Sequence, residues 1–206
     1  MVLFLWVLSL RGANFIDQTD GQLYIRFLSD GDMDALGILF EKYKDGLILF
    51  LYGIVGDSED AEELMMDTFA VLASGTAKYT EKKEASFKTW LFAVAKNQAR
   101  HFLRKKSKYP VTEIDIERDI KDLEEQPESL LVQDEAKVEL YKAMEELNDE
   151  YRQVLYLMYF EELKPEQISR ILKKTVKQTY NLAARGKTAL RKVLERMGSS
   201  WNTWDM

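Results

Sequence analysis

Residues 165 to 185 have the sequence PEQISRILKKTVKQTYNLAAR, which predicts two short helices joined by a tight turn at Lys173. Pro165 suits the first position of a helix, because its missing N–H would have no intrahelical partner there. Thr175 and Gln178, three residues apart, form a capping box that starts the next helix. The segment therefore predicts a helix-turn-helix, whose second helix fits the major groove of DNA.

The second of these helices has an outer face suited to DNA. Gln and Asn pair with adenine, Arg pairs with guanine, and Lys suits phosphate. The side chains that we expect to contact DNA are Thr175, Lys177, Gln178, Asn181, Arg185 and Thr188. A helical hairpin with a solvated basic face is the alternative interpretation.

The charge of the chain is segregated, although its formal net charge is −6. From Asp17 to Asp67 there are thirteen acidic and three basic residues, and from Ala85 to Thr112 there are seven basic residues and no acid. From Glu113 to Glu139 eleven acids face three basic residues, and from Leu163 to Arg196 ten basic residues face two acids. Two basic blocks separated by an acidic spacer favour a nucleic-acid partner.

No segment keeps the two-residue alternation of a β-strand, so the chain is predicted to be all-α. Before the acidic spacer, an apolar stripe from Leu36 to Ile54 predicts one helix, Gly56 to Ser58 break it, and a second helix follows. A third is predicted from about Phe87 to Lys106. We expect two small helical domains joined by an acidic linker: an apolar extension at 1–20, a first domain at 21–108, the linker at 109–135, a second domain at 136–197 and a tail at 198–206.

The helix after Phe87 carries the other basic block. A basic helix with aromatic side chains near its start suits single-stranded nucleic acid, whose bases stack on aromatic rings. Trp90 is equally well placed as a core residue. The residues that we expect to contact nucleic acid are Lys88, Trp90, Asn97, Arg100, His101, Arg104 and Lys105.

Catalytic and metal sites are not indicated. The chain has one histidine and no cysteine, and it lacks a Gly-rich phosphate loop or a nucleophile elbow. The carboxylates from Asp57 to Asp67 do not follow the spacing of an EF-hand loop. We therefore expect no metal, no cofactor, no small-molecule substrate and no enzymatic activity.

The first ten residues, Met1 to Leu10, are strongly apolar. They are fewer than the roughly 20 residues that a membrane-spanning helix needs. A non-native or misassigned start and a short apolar segment docked on the body are the interpretations that remain open, and no membrane insertion is expected. The absence of cysteine fits a reducing cytoplasm, which is the predicted location.

Both halves of the chain resemble one family, the extracytoplasmic-function group of bacterial sigma factors. DSEDAEEL from Asp57, continued by Asp67-Thr68-Phe69, is similar to the family's polymerase-binding helix. SFKTWLFAVAKN from Ser86 is similar to the segment that opens and reads the minus-10 element. The segment from Glu146 to Leu155 and the helix-turn-helix resemble the domain that reads the minus-35 element.

The resemblance implies a fold and a set of partners. The first domain would be a bundle like sigma region 2, and the second a helix-turn-helix domain like sigma region 4. The partners would be core RNA polymerase, promoter DNA and an anti-sigma factor. Asp60, Glu63, Leu64 and Asp67 would contact polymerase, and the 73–84 loop would help to hold a flipped base.

Two alternatives compete with a sigma factor. A helix-turn-helix regulator that never binds polymerase would explain residues 165 to 185 but not the basic block after Phe87. An enzyme acting on nucleic acid would need a metal or a nucleophile. One departure from the family is Lys173, which stands where the turn often has Gly; because a left-handed residue other than Gly costs about 1–2 kcal/mol, we expect an altered turn.

Overall fold

The computed structural model describes residues 18–80, 86–108 and 135–198, which form eight helices. They are α1 (Asp20–Asp30), α2 (Met33–Val55), α3 (Ser58–Ala73), α4 (Phe87–Lys108), α5 (Glu135–Glu145), α6 (Asp149–Tyr159), α7 (Pro165–Leu172) and α8 (Val176–Met197). These three ranges contain no strand, which confirms the all-α prediction. No helix within them is long and apolar enough to cross a membrane. Met1 to Leu10 and most of the predicted linker lie outside the described residues.

We call α1–α4 the N-terminal half and α5–α8 the C-terminal half. In the N-terminal half, polar caps set where helices begin. The Asp32 carboxylate accepts a hydrogen bond from the Ala35 N–H at 3.2 Å, and Asp57 caps α3 through the Asp60 N–H at 2.7 Å. Gly56 ends α2 in a left-handed conformation with φ 76°, which glycine adopts without steric cost.

Helix α1 is absent from the sequence prediction, which placed three helices in this half. Thr19 and Gln22 form a capping box at its start, and the helix buries Leu23, Tyr24 and Phe27. The Tyr24 hydroxyl donates a hydrogen bond to the Leu72 carbonyl at 3.1 Å, which ties α1 to the end of α3. The N-terminal half is therefore a four-helix bundle.

The predicted apolar stripe of α2 forms the centre of that bundle. Leu39, Leu47 and Leu51 are fully buried, and Phe50 packs edge-on against Phe92 of α4 with ring centroids 5.3 Å apart. A helix of 23 residues with one apolar face needs partners around it, and α1, α3 and α4 supply them.

In the C-terminal half, α8 packs across α6. Gly186 permits the close approach, because a Cβ at this position would lie 3.3 Å from the Leu155 side chain. Val154, Leu155 and Leu190 are buried between the two helices. Asn148 caps α6 through the Tyr151 N–H at 3.0 Å.

The two halves pack against each other, α2 on α6 and α4 on α7. The Tyr141 hydroxyl donates to the Leu49 carbonyl at 2.9 Å, and the Tyr156 hydroxyl donates to the Gly46 carbonyl at 2.9 Å. Both bonds join a side chain of the C-terminal half to the backbone of α2. The sequence left this relative placement open, and it decides which predicted site residues face solvent.

Candidate nucleic-acid interface

Helices α7 and α8 form the predicted helix-turn-helix. Pro165 occupies the first turn of α7, and Thr175 caps α8 with the predicted capping box. Lys173 adopts the left-handed conformation with φ 54° and ψ 46°. The expectation of an altered turn is therefore wrong: lysine takes the glycine-like geometry, at a cost of about 1–2 kcal/mol. The Lys174 N–H donates to the Ser169 carbonyl at 2.9 Å and closes the turn.

All six predicted contact residues of α8 and its cap are exposed. Two of them also shape the helix end: the Thr175 hydroxyl accepts from the Gln178 N–H at 3.2 Å, and Gln178 Oε1 accepts from the Thr175 N–H at 2.8 Å. Lys177, Asn181 and Arg185 share one outward face of the next turns, at spacings of four residues. The structure thus brings a cation, an amide and a guanidinium together on one side of α8.

Tyr180 lies beside this face and was not among the predicted residues. Its side chain is 52% exposed, and its hydroxyl donates to Glu166 Oε1 of α7 at 3.3 Å. The negative charge of Glu166 raises the pKa of Tyr180. A sequence signal was available, because Tyr180 stands one turn after Val176 and one residue before Asn181.

The predicted nucleic-acid face of α4 is divided by the C-terminal half. Arg100, His101, Arg104 and Lys105 are exposed near the end of the helix, where Arg104 Nη2 donates to His101 Nδ1 at 3.2 Å. The residues nearer the start contact other elements, so α4 does not present one continuous face.

The residues near the start of α4 are engaged as follows. Lys88 Nζ lies 2.7 Å from Glu161 Oε2, and Asn97 Oδ1 accepts from Lys173 Nζ at 2.9 Å. Trp90 is half-buried in an aromatic cluster with Tyr24 and is better described as a core residue than as an exposed stacking platform.

Lys96, another lysine of the same helix, is also covered. Its Nζ donates to Gln153 Oε1 of α6 at 2.8 Å. Burial and, to a smaller extent, the positive charge of Lys174 lower the pKa of Lys96 to about 8. The contact between the halves thus places an amine that would suit a phosphate in a poorly solvated site.

Glu161 is the central charged residue of this contact. Its side chain is 9% exposed and forms the ion pair with Lys88. It also lies 3.1 Å from the Tyr156 hydroxyl, whose single hydrogen it shares with the Gly46 carbonyl. A Cβ at Gly46 would lie 2.6 Å from Glu161 Oε1, so a larger residue at this position would displace the carboxylate. We call Glu161, Lys88, Tyr156 and Gly46 the interdomain latch.

The acidic face of α3 is only partly available to a partner. Glu63 and Asp67 are exposed, whereas Asp60 forms an ion pair with Lys106 of α4 at 2.9 Å. Leu64 is 3% exposed and belongs to the core, which corrects its expected role as a contact residue. Its inward position follows from the helical period, because Ala61, Leu64 and Met65 share one face.

Met66 was missed by the sequence reasoning and lies between the two exposed acids. It is 55% exposed, next to Asp67 and three residues from Glu63. An apolar side chain within an acidic face is typical of a protein-binding surface. Within the described ranges, no group of three or more His, Cys, Asp or Glu side chains is placed to hold a metal ion.

Comparison with known proteins gives one consistent result. The model of Sigma-70 region 2 matches residues 39–109, and that of Sigma-70, region 4 matches residues 137–190. The ECF RNA polymerase sigma factor SigM of Bacillus subtilis is 30% identical over 134 residues, covering 65% of this chain and 79% of SigM. RNA polymerase sigma factor YlaC of the same organism is 27% identical over 160 residues, covering 77% of this chain and 91% of YlaC.

A solved structure shares the fold. The sigma factor RpoE in complex with the anti-sigma factor NepR from Bartonella quintana superposes with a TM-score of 0.56 and 16% identity, covering 77% of this chain and 96% of RpoE.

Proposed function

Because the chain belongs to the extracytoplasmic-function group of the sigma-70 family, we propose that each of its two halves carries a different part of the binding function of a sigma factor. The protein binds core RNA polymerase and directs promoter recognition, DNA melting and transcription initiation. The observation that carries this function is that both sigma regions occur in order along one chain. A DNA-binding regulator without polymerase would not account for the region 2 match.

The proposed division uses residues 21–108 for polymerase and the minus-10 element, and residues 136–197 for the minus-35 element. The acidic stretch 109–135 would connect them. We infer that the protein contributes binding rather than catalytic residues, and that it acts in the cytoplasm, where its polymerase and promoter partners are found.

We assign the minus-35 element to α8. The outward face with Lys177, Asn181 and Arg185 supports this role, because these side chains supply contacts to phosphate, adenine and guanine. Thr175, Gln178 and Thr188 border that face.

We assign the minus-10 element to α4, with Arg100, His101, Arg104 and Lys105 as residues available in the packed arrangement. Lys88, Lys96 and Asn97 join them only if the C-terminal half moves away, because each now contacts it. We therefore infer that the halves separate before the minus-10 element binds.

An anti-sigma factor is a proposed partner of this chain. A protein that bound across both halves would hold them together and keep Lys96 and Asn97 covered. Its binding would then oppose promoter binding by mass action, since only the separated arrangement exposes these residues.

Polymerase is assigned to the exposed part of α3, that is Glu63, Met66 and Asp67. Glu63→Lys with Asp67→Lys should abolish binding to core polymerase and leave the helical content unchanged, because both side chains are exposed. The matched control, Asp30→Lys with Asp34→Lys, makes the same change in charge at exposed positions of the same half. Equal retention of both double variants on immobilised core enzyme would remove α3 from the interface.

The function as a whole is tested by run-off transcription with core polymerase on a pool of genomic promoter fragments. Transcripts that depend on this protein and share a spacing between promoter elements and start site are the expected result. No such transcript from a complete genomic pool, while a control sigma factor drives the same core enzyme, would contradict it.

A further inference from the structure

The first turns of α8 expose apolar side chains at a regular spacing. Val176 is 39% exposed and Tyr180 is 52% exposed, and Ala184 is exposed one turn further on. Positions four residues apart lie above one another on a helix, so the three side chains form one continuous line. We call Val176, Tyr180 and Ala184 the apolar strip.

The apolar strip lies on the side of α8 that is assigned to DNA. It runs directly beside Lys177, Asn181 and Arg185, each one residue further along the helix. These polar neighbours hold two positive charges, which suit a polyanion and do not suit an apolar protein partner. The strip is thus placed to enter the major groove together with the polar face.

The ring of Tyr180 is held in place before DNA arrives. Its hydroxyl donates to Glu166 Oε1 at the N-terminal turn of α7, on the other helix of the motif. A ring fixed between two helices loses less side-chain entropy on binding than a free one. This arrangement also directs the hydroxyl toward Glu166, so the ring itself is what the groove would meet.

The chemistry of the major groove supplies one apolar group, the 5-methyl of thymine. We propose that the apolar strip reads thymine methyl groups in the minus-35 element, with Tyr180 as the main specificity-determining residue. This inference rests on the assignment of α8 to that element. It adds a contact with the thymine of a base pair, which the polar residues of α8 do not make, since their hydrogen bonds are to adenine, guanine and phosphate.

The experiment removes only the methyl groups from the DNA. Holoenzyme assembled from the full chain and core polymerase selects its minus-35 element from duplexes randomised in that region. Each thymine of the selected element is then replaced singly by deoxyuridine, and affinity is measured by competition. The wild type should lose about fourfold at one or two positions, as expected for burial of one methyl group.

Variants of α8 test whether this loss of affinity for deoxyuridine duplexes depends on the apolar strip. Tyr180→Ala should bind the thymine and deoxyuridine duplexes equally, while Tyr180→Phe should still discriminate because it keeps the ring. Met197→Ala is the control, since Met197 is an exposed apolar residue in the last turn of the same helix. It should discriminate like the wild type.

Each other outcome overturns the proposal in a recognisable way. A selected element without thymine, or deoxyuridine duplexes that bind as well as thymine at every position, would refute the reading of methyl groups while leaving α8 as the reader. An unchanged fourfold loss in Tyr180→Ala would refute Tyr180 as the main specificity-determining residue. Failure of the holoenzyme to enrich any minus-35 element would instead refute the assignment of α8, and the strip with it.

Discussion

Replacing Glu161 with glutamine should open the contact between the two halves. The change keeps the shape of the side chain: the amide oxygen can accept a hydrogen bond from Lys88 Nζ, while the amide nitrogen donates to the Tyr156 hydroxyl, which keeps its own bond to the Gly46 carbonyl. What disappears is the charge opposite Lys88 Nζ, which lies 2.7 Å away. Glu161→Gln is therefore a test of the latch with little disturbance of packing.

The expected loss of free energy in the contact depends on how far water screens the Lys88–Glu161 ion pair. The Glu161 side chain is 9% exposed and that of Lys88 is 28% exposed, so water screens the interaction only in part. A hydrogen bond to a charged group contributes about 1.5–3 kcal/mol and a neutral one about 0.5–1.5 kcal/mol. The Lys88 ammonium also keeps its bond to the Glu161 carbonyl at 2.8 Å. We expect the contact to weaken by about 1–2 kcal/mol, which shifts the equilibrium toward separated halves about five- to thirtyfold.

Two assays measure this shift. The chain has no cysteine, so Ser29→Cys and Lys192→Cys provide exposed labelling sites, one in each half, for fluorescence energy transfer. Transfer should fall in Glu161→Gln. The affinity of the free protein for a forked minus-10 template should rise by up to the same factor, because binding selects the separated form.

Glu162→Gln is the matched control. It makes the same change in net charge one residue away, at an exposed position, and so raises non-specific attraction to DNA equally. If both variants gave the same energy transfer and the same affinity for the forked template, the latch would not hold the halves together, and the reasoning from Glu161 would be refuted.

The remaining predictions concern Lys96, two glycines of α2 and Arg185. Because burial lowers the pKa of Lys96 to about 8 in the packed form, that form binds fewer protons than the separated one above this pH. It should gain stability as pH rises from about 8 toward about 10, where Tyr156, whose pKa burial raises in the packed form, starts to ionise in the separated form. Energy transfer should therefore increase over this range, and Lys96→Met should abolish the increase. Gly37→Ala, with open space around its Cβ, should raise the free energy of unfolding by about 1 kcal/mol and leave energy transfer unchanged. Gly46→Ala should reduce energy transfer, because its Cβ would displace the Glu161 carboxylate. Equal energy transfer in the two variants would show that the latch does not depend on glycine at position 46. Arg185→Ala should weaken minus-35 binding by about 1–3 kcal/mol and relax the preference at one base pair, and an unchanged selected sequence would exclude a base contact.

Local features of the chain were predictable because they depend on residues a few positions apart. The capping box of Thr175 and Gln178 and the proline at the start of α7 were both found as expected. The apolar stripe of α2 was equally visible, since a helical period repeats within a few residues.

Helix α1 was missed by the sequence-based prediction, although local signals for it were present. The helix has eleven residues and only one buried face. Its start was assigned to the apolar extension because the residues before it are strongly apolar. The capping box of Thr19 and Gln22, followed by Leu23, Tyr24 and Phe27, was the available signal. Leu64 shows the complementary error, because a resemblance names positions without stating which of them are buried.

The sequence by itself determined the helical class, the helix-turn-helix and the segregation of basic and acidic segments, since hydrogen-bond capping and amphipathic spacing act over short distances along the chain. Only the tertiary structure decided which basic residues of α4 are covered. The bonds of Lys88, Lys96 and Asn97 to the C-terminal half join residues 73, 57 and 76 positions apart. No local pattern encodes such pairs: a lysine on an amphipathic helix has the same sequence signature whether it faces water, a phosphate or a glutamate of the other half, and packing alone selects among them.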